Sequence, residues 1–249
     1  MTTPLAACLA FDSATEHLSI ALQVGERVWS CEPAGGAQAS STLIPGVMGL
    51  LAQAGIGLRD LDAIAYGRGP GAFTGLRTAC SVAQGLAFGA DKPVLPIDTL
   101  LTVAEDARQS AEGDALDDVW VAMDARMDEI YAAHAVHASG GWRWETAPCL
   151  CTPEQLNAWW HEAAPRAVAG TALAAFGERL VCGAAQRLPQ ALPRARAMLP
   201  LAAALWAQGG AVPAAQALPL YVRDKVAQTM AERAAIQAAA MAGAAGTSA

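Results

Sequence analysis

After a continuous apolar run over residues 5–11, apolar and polar residues alternate in short runs through about position 31. LAACLAFDSATEHLSIALQVGERVWSCEP has apolar side chains at nearly every second position within short runs, which predicts three strands joined by turns. Leu18, Ile20 and Leu22 share one face, and a turn at Gly25 leads into a third strand over 28–31. The period then changes. Ser40, Ser41 or Thr42 can cap a helix running to about Ala54, with Pro45 in its first turn and Gly55 and Gly57 ending it. A buried strand over 61–66 enters a glycine-punctuated turn, and a second helix starts near Ala72 or Phe73. Residues 94–97 read as a strand and 99–110 as a helix, closing a βαβ-like unit. From Asp117 a second strand-turn-strand block follows, with GWRWETA as a further strand. Thr152 as N-cap, Pro153 at the first helical position and Gln155 form a capping box. Beyond it the chain is alanine-rich. The tail after about Gln228 has no apolar stripe and is either helical or frayed.

The two strand-turn-strand blocks overlay at a constant offset of 112 residues: LAFDSATEHLSIAL (9–22) on VAMDARMDEIYAAH (121–134). Asp12 falls on Asp124, Glu16 on Asp128, Leu18 on Ile130 and Ala21 on Ala133. Duplicated units commonly face each other across a cleft. Each copy then brings one carboxylate to a strand's C-terminal end, where α/β sheets hold ligands. Two such carboxylates can position a metal-nucleotide, or each can cap its own turn.

The central segment, YGRGPGAFTGLRTACSVAQGLAFG (66–89), has Gly67, Gly69 and Gly71 for close backbone approach, followed by a helix N-terminus with Thr74 and Arg77 in its first turns. This suits an anion in general, but no Gly-Lys-Ser/Thr follows, so it is not a P-loop. Gly75, Ala79, Ala83 and Ala87 form a ridge of small residues at every fourth position. Arg77 is the only charge between Arg68 and Asp91, and none occurs from Pro33 to Leu58. Two such helices are either both core or a joint apolar patch covered by another subunit; we favour the patch.

Composition narrows the class. The 249 residues are 54% hydrophobic and 16% charged, enough for a large core, and the net charge of −7 disfavours gripping a phosphate backbone unaided. The longest apolar stretch is broken by Pro200, Gly209, Gly210 and Pro213, too short to span a bilayer, and MTTPLAACLAFD lacks a signal peptide's basic start. A cytoplasmic protein is expected, with its six cysteines reduced. Cys149 and Cys151 are a strand-to-loop feature rather than a zinc site.

DSATEHLSIAL, AYGRGPGAFTGLRTACSVAQGLA, VAMDARMDEIYAA and LPLYVRDKVA together resemble the TsaB (YeaZ) family, over about residues 9 to 227. The resemblance implies an actin-like ATPase (ASKHA) duplicated α/β fold of two subdomains, each a mixed sheet with flanking helices, over 1–110 and 111–215, with 216–249 a C-terminal segment. It also implies a subunit of the machinery that makes N6-threonylcarbamoyladenosine beside the anticodon of ANN-decoding tRNAs. Its partners would be a TsaD-type paralogue carrying the transferase site and its metal, and a TsaE-type ATPase, with tRNA met only through the complex. The two uncharged helices would form the heterodimer surface and also serve homodimers. Candidate contacts there are Leu43, Val47, Leu50, Phe73, Leu76, Arg77, Cys80, Ala83 and Ala87. Asp12, Thr15, Gly69, Gly71 and Asp124 are the candidate nucleotide-binding residues, for ATP or ADP with Mg at the cleft or subunit boundary.

No catalytic or metal-ligating residue is assigned. The His-x-x-x-His pair of the catalytic paralogue is missing: the histidines are His17, His134, His137 and His161. His134 and His137 fall on opposite faces of a strand. The alternative is an independent actin-like small-molecule kinase using Asp12 and Asp124, or an M22-type metallopeptidase, which lacks its ligands here. A Rossmann oxidoreductase would use Gly67-x-Gly69-x-x-Ala72 with Asp98, a weak match carrying an internal Pro70.

Overall fold

The structure, a computed structural model, describes residues 4–111, 116–138 and 141–223. The opening alternation becomes an antiparallel meander of β1 (Ala7–Asp12), β2 (Ser19–Val24) and β3 (Arg27–Cys31). After α1 (Ala39–Ala54), strand β4 (Ala63–Gly69) pairs parallel with β1. Helix α2 (Phe73–Ala90) then crosses to β5 (Val94–Asp98), which pairs parallel with β4. The sheet order is β3-β2-β1-β4-β5.

Helix α3 (Thr99–Ser110) leads to the second copy. There β6 (Asp118–Asp124), β7 (Ile130–Ala138) and β8 (Gly141–Cys151) form the meander. Helix α4 (Pro153–Glu162) follows, opened by the expected capping box, in which Thr152 Oγ1 accepts from the Gln155 N–H at 3.3 Å. Strands β9 (Ala167–Ala169) and β10 (Gln186–Leu188) add in parallel, with α5 (Ala172–Phe176) between them. The order β8-β7-β6-β9-β10 repeats that of the first sheet, which is the duplicated actin-like architecture. Cys149 and Cys151 lie in the last residues of β8.

Each sheet is covered on both faces. Ala7, Leu9 and Phe11 of β1 point to α1 and α2, and Cys8 and Ala10 point to α6 (Ala195–Ala207). In the second sheet Val119, Val121 and Met123 face α3, and Trp120 and Ala122 face α4 and α5. Helices α3 and α6 also touch each other. The expected boundary at 110/111 therefore cuts across the packing. Helix α3 precedes it but covers the second sheet, whereas α6 follows it and returns to the first. Of the segment 216–249, residues 217–221 also return to the first subdomain, Val222 and Arg223 reach the second, and the residues after 223, including the alanine-rich tail, lie outside the described residues.

The internal repeat is real, but the pairing of its two strands differs by one residue between the copies. Asp12 pairs with Ser19, and Asp124 pairs with Ile130, so the second turn is one residue shorter. A one-residue slip exchanges strand faces, and the exchange falls in the first strand: Leu9 and Phe11 face α1 and α2, whereas Val121 and Met123, overlaid on them by sequence, face α3 and not α4 and α5, the counterparts of α1 and α2. The first helix departs in its start. It begins at Ala39 after Gln38, without a side-chain cap, and Pro45 lies beyond its first turn. Ser41 and Thr42 instead donate back to carbonyls, Ser41 to Gln38 and Thr42 to Ala34 and Gln38.

The small-residue ridge of α2 packs on the chain's own sheet rather than on another subunit. Gly75, Ala79, Ala83 and Ala87 are all buried, and a Cβ at Gly75 would overlap the carbonyl oxygen of Ser13. Gly85, on the same helix, has open space where its Cβ would be. One substitution thus has opposite signs at two positions. Gly75→Ala should cost about 1–3 kcal/mol through overpacking, and Gly85→Ala should gain roughly 0.5–1 kcal/mol from helix propensity. Urea unfolding of both variants checks this, and shifts of the same sign would contradict the packing.

Candidate functional site

The first turn is organised around one buried carboxylate. Asp12 ends β1 with no solvent exposure. Its Oδ1 accepts from the Ala14 N–H at 2.7 Å, and its Oδ2 accepts from Thr99 Oγ1 at 2.8 Å. Thr99, the first residue of α3, in turn accepts from the Gly69 N–H at 3.2 Å. The central glycines are what let this turn approach. A Cβ at Gly67 would overlap the Asp12 carboxylate, and one at Gly71 would overlap the Ala14 carbonyl. Ser13 Oγ donates to the Gly75 carbonyl at 2.9 Å, and the Ala72 N–H donates to the Ala14 carbonyl at 2.7 Å. Burial pushes the Asp12 carboxyl up to about 6, against hydrogen bonds from Ala14 and Thr99 that favour its charged form.

The second turn is more open. Asp124 Oδ1 accepts from the Arg126 N–H at 2.8 Å, the counterpart of the Asp12–Ala14 contact. Its own N–H donates to Thr171 Oγ1 at 3.1 Å. The Arg126 guanidinium lies 3.2 Å from Asp124 and 3.2 Å from Glu16, and so ties the two turns together.

A cleft of about 430 Å³ opens between the turns, as the repeat predicts. Thr15, Gly71 and Asp124 line it, together with Glu16, Arg126 and Thr171. Asp12 and Gly69 do not. Asp12 is enclosed behind Thr99, and a Cβ at Gly69 would press on the Leu220 carbonyl, not on a ligand. The residues do not fit a magnesium-nucleotide. Of the two carboxylates expected to hold it, one is buried and fully hydrogen-bonded and the other is paired with Arg126. Among the described residues no three His, Cys, Asp or Glu side chains converge as a metal-ligand set. His134 and His137 have separate partners, Asp118 and Asp117.

The N-terminal end of α2 is likewise occupied by the chain itself. Phe73 stacks on Tyr221 with ring centroids 4.4 Å apart, and Arg77 Nε donates to the Tyr221 hydroxyl at 3.3 Å. No local pattern points to this contact, because Tyr221 lies far along the chain in an irregular segment. Glu16, Arg126 and Thr171 were also missed. Arg126 was detectable as the residue two after the repeated Asp, where Ala14 stands in the first copy.

Of the expected partner contacts, Leu43, Val47, Leu50, Leu76, Cys80, Ala83 and Ala87 are buried in this chain's own core, so a partner would not touch them directly. Phe73 is half-buried under Tyr221, and Arg77 is exposed. The outward faces carry different residues. Ile44 and Met48 of α1 are 45% and 50% exposed, and Phe88 of α2 is 84% exposed. Ser40, Thr74, Arg77, Thr78, Ser81 and Val82 line a shallow depression of about 410 Å³ between the helices.

Known proteins share both fold and sequence. The family model described as TsaD, tRNA N6-adenosine threonylcarbamoyltransferase, matches residues 35–231. The tRNA threonylcarbamoyladenosine biosynthesis protein TsaB of Haemophilus influenzae is 37% identical over 231 residues, 88% of this chain and 94% of that protein. The TsaB of Escherichia coli is 34% identical, with 88% and 95% covered. The solved structure of YeaZ from Pseudomonas aeruginosa is similar with a TM-score of 0.78 at 38% identity, covering 87% of this chain and 99% of that one. The chain is thus an actin-like α/β protein of the group that the TsaD model describes. Within that group it belongs to the TsaB (YeaZ) family.

The buried carboxylate has a pH signature. Its folded value, about 6, lies above the ordinary 3.8, so the folded state binds more protons between these values. Its contribution to stability is present below about pH 4 and is lost as pH rises through about 6. Relative to Asp12→Asn, the unaltered chain should lose roughly 3 kcal/mol of stability between pH 4 and pH 7. Denaturant unfolding of the pair at several pH values checks this, and a pH-independent difference would contradict it.

Proposed function

We propose that this chain is a non-catalytic subunit that docks on a TsaD-type transferase and supports threonylcarbamoylation of the adenosine beside the anticodon in ANN-decoding tRNAs. The observation that carries the reading is the outward face of α1 and α2. It exposes Ile44, Met48 and Phe88, and Arg77 is the only charge on either helix. An apolar face of this kind suits a protein partner. In a chain of net charge −7 it does not suit RNA, which is then reached through the complex.

The cleft supports the same reading. Its carboxylates, Glu16 and Asp124, both pair with Arg126, and Asp12 is enclosed behind it, which fits a subunit that positions another's active site. A TsaE-type ATPase completes the assembly, and in the absence of the transferase the same face serves a homodimer. Among the described residues no helix is long and apolar enough to cross a membrane, and the cytoplasm, where tRNA is modified, is the compartment we assign.

Phe88→Glu and Met48→Glu should leave the melting temperature of the chain nearly unchanged. Each should weaken its complex with the TsaD-type protein by about 30-fold, the equivalent of losing about 2 kcal/mol at an interface centre. Ala83→Glu, on the same helix but buried, should instead unfold the chain, because it buries an unpaired charge. Size-exclusion and calorimetric titration of the three variants check this. Unchanged affinity in both exposed variants would overturn the docking face.

A further inference from the structure

The second turn of the cleft is held in an unusual backbone conformation. Arg126, Met127 and Asp128 have φ values of 61°, 56° and 62°. Three successive non-glycine residues are thus left-handed, at a cost of order 1–2 kcal/mol each for an L-residue. The turn closes through the Ala125 N–H to the Glu129 carbonyl at 2.9 Å, and the Glu129 N–H to the Arg126 carbonyl at 3.1 Å. Such a conformation persists where surrounding contacts over-determine it.

Those contacts come from two arginines. Arg179 pairs with Asp128 and Glu154 on the outer side. On the inner side Arg223, 11% exposed, donates to the Ala125 carbonyl at 3.0 Å and pairs with Glu129 at 2.6 Å. Arg223 follows a segment that crosses between the subdomains: Val222 packs against the core of the second sheet, and residues 217–221 contact the first subdomain. The Ala217 carbonyl accepts from Cys80 and Gln84 of α2. The Leu218 N–H donates to the Tyr66 hydroxyl at 3.0 Å, and the Leu220 N–H donates to the Arg68 carbonyl at 2.6 Å. Tyr221 then stacks on Phe73 and accepts from Arg77.

We propose that residues 217–223 form a clasp that holds the left-handed turn 125–129 through Arg223 and couples it to the N-terminal end of α2 through Tyr221. Two residues apart, these side chains grip different subdomains, so a displacement of one shifts the backbone that positions the other. The clasp does not depend on the docking reading. Its regulatory meaning does, because a partner covering α2 beside Arg77 would act on the Tyr221 end and thereby on a wall of the cleft.

Hydrogen exchange on the full chain tests this without any partner. Arg223→Gln should speed exchange of the Ala125 and Glu129 amides by about tenfold, the equivalent of about 1.4 kcal/mol. Tyr221→Ala removes the stack on Phe73 and the hydrogen bond from Arg77, both on α2, and yet it should speed the same amides in the same direction. Strand β4 serves as the internal reference for global folding. Should the glutamine variant lose β4 protection, Arg223→Lys takes its place, since an ammonium does not span the carbonyl and the carboxylate as a guanidinium does. Turn exchange unchanged in the arginine variant would overturn the clamp. Faster exchange in Tyr221→Ala confined to α2 and the clasp would overturn the coupling.

Discussion

The contact between the Asp12 turn and the glycine-rich segment is the constraint on which the other features rest. Gly67, Gly71 and Gly75 stand at intervals of four residues, and each faces one part of the turn: the Asp12 carboxylate, the Ala14 carbonyl and the Ser13 carbonyl. Side chains at those positions would push β4 and α2 away from β1. With the glycines in place, Thr99 reaches Asp12 and Gly69 together and fixes where α3 leaves the first sheet. Because α3 covers the second sheet, this one cluster also sets the relation of the two subdomains. The buried carboxylate costs stability at neutral pH, which the hydrogen bonds from Ala14 and Thr99 offset only in part.

The same contact shapes the two surfaces of interest. It commits the first carboxylate of the repeat to structure, leaving Asp124 and Glu16 to line the cleft on either side of the one guanidinium, Arg126, that both pair with. It also pulls the small-residue side of α2 onto the sheet, which turns Phe88 outward, as Ile44 and Met48 of α1 also are. A close-packed inner face and an apolar outer face are therefore consequences of one helix sequence, in which nearly every side chain is small or uncharged.

That duality explains what was readable from sequence. Where the period was clear, the elements were found with little error. Helix α3 was predicted at its observed bounds, and the Thr152 capping box was recovered because its chemistry is local. The duplication was legible from Asp12 and Asp124. The register between its two strands was not, since a turn shortened by one residue leaves composition unchanged while exchanging faces. Helix α2 is apolar nearly all round, so its sequence alone does not say which side is the core, and Ala83 and Ala87 were placed at a surface they do not reach. The clasp was illegible for another reason. Tyr66 and Leu218, or Arg126 and Arg223, are joined by hydrogen bonds across long separations that no local pattern encodes.

The central claim is that this chain supports catalysis by another subunit. It is tested most directly by reconstituting tRNA threonylcarbamoylation from purified TsaD-type and TsaE-type proteins with an activated threonylcarbamoyl donor and an ANN-decoding tRNA, with and without this chain. We expect product only when the chain is present, and none from the chain alone. Equal product formation in its absence, or turnover by the isolated chain, would contradict the account.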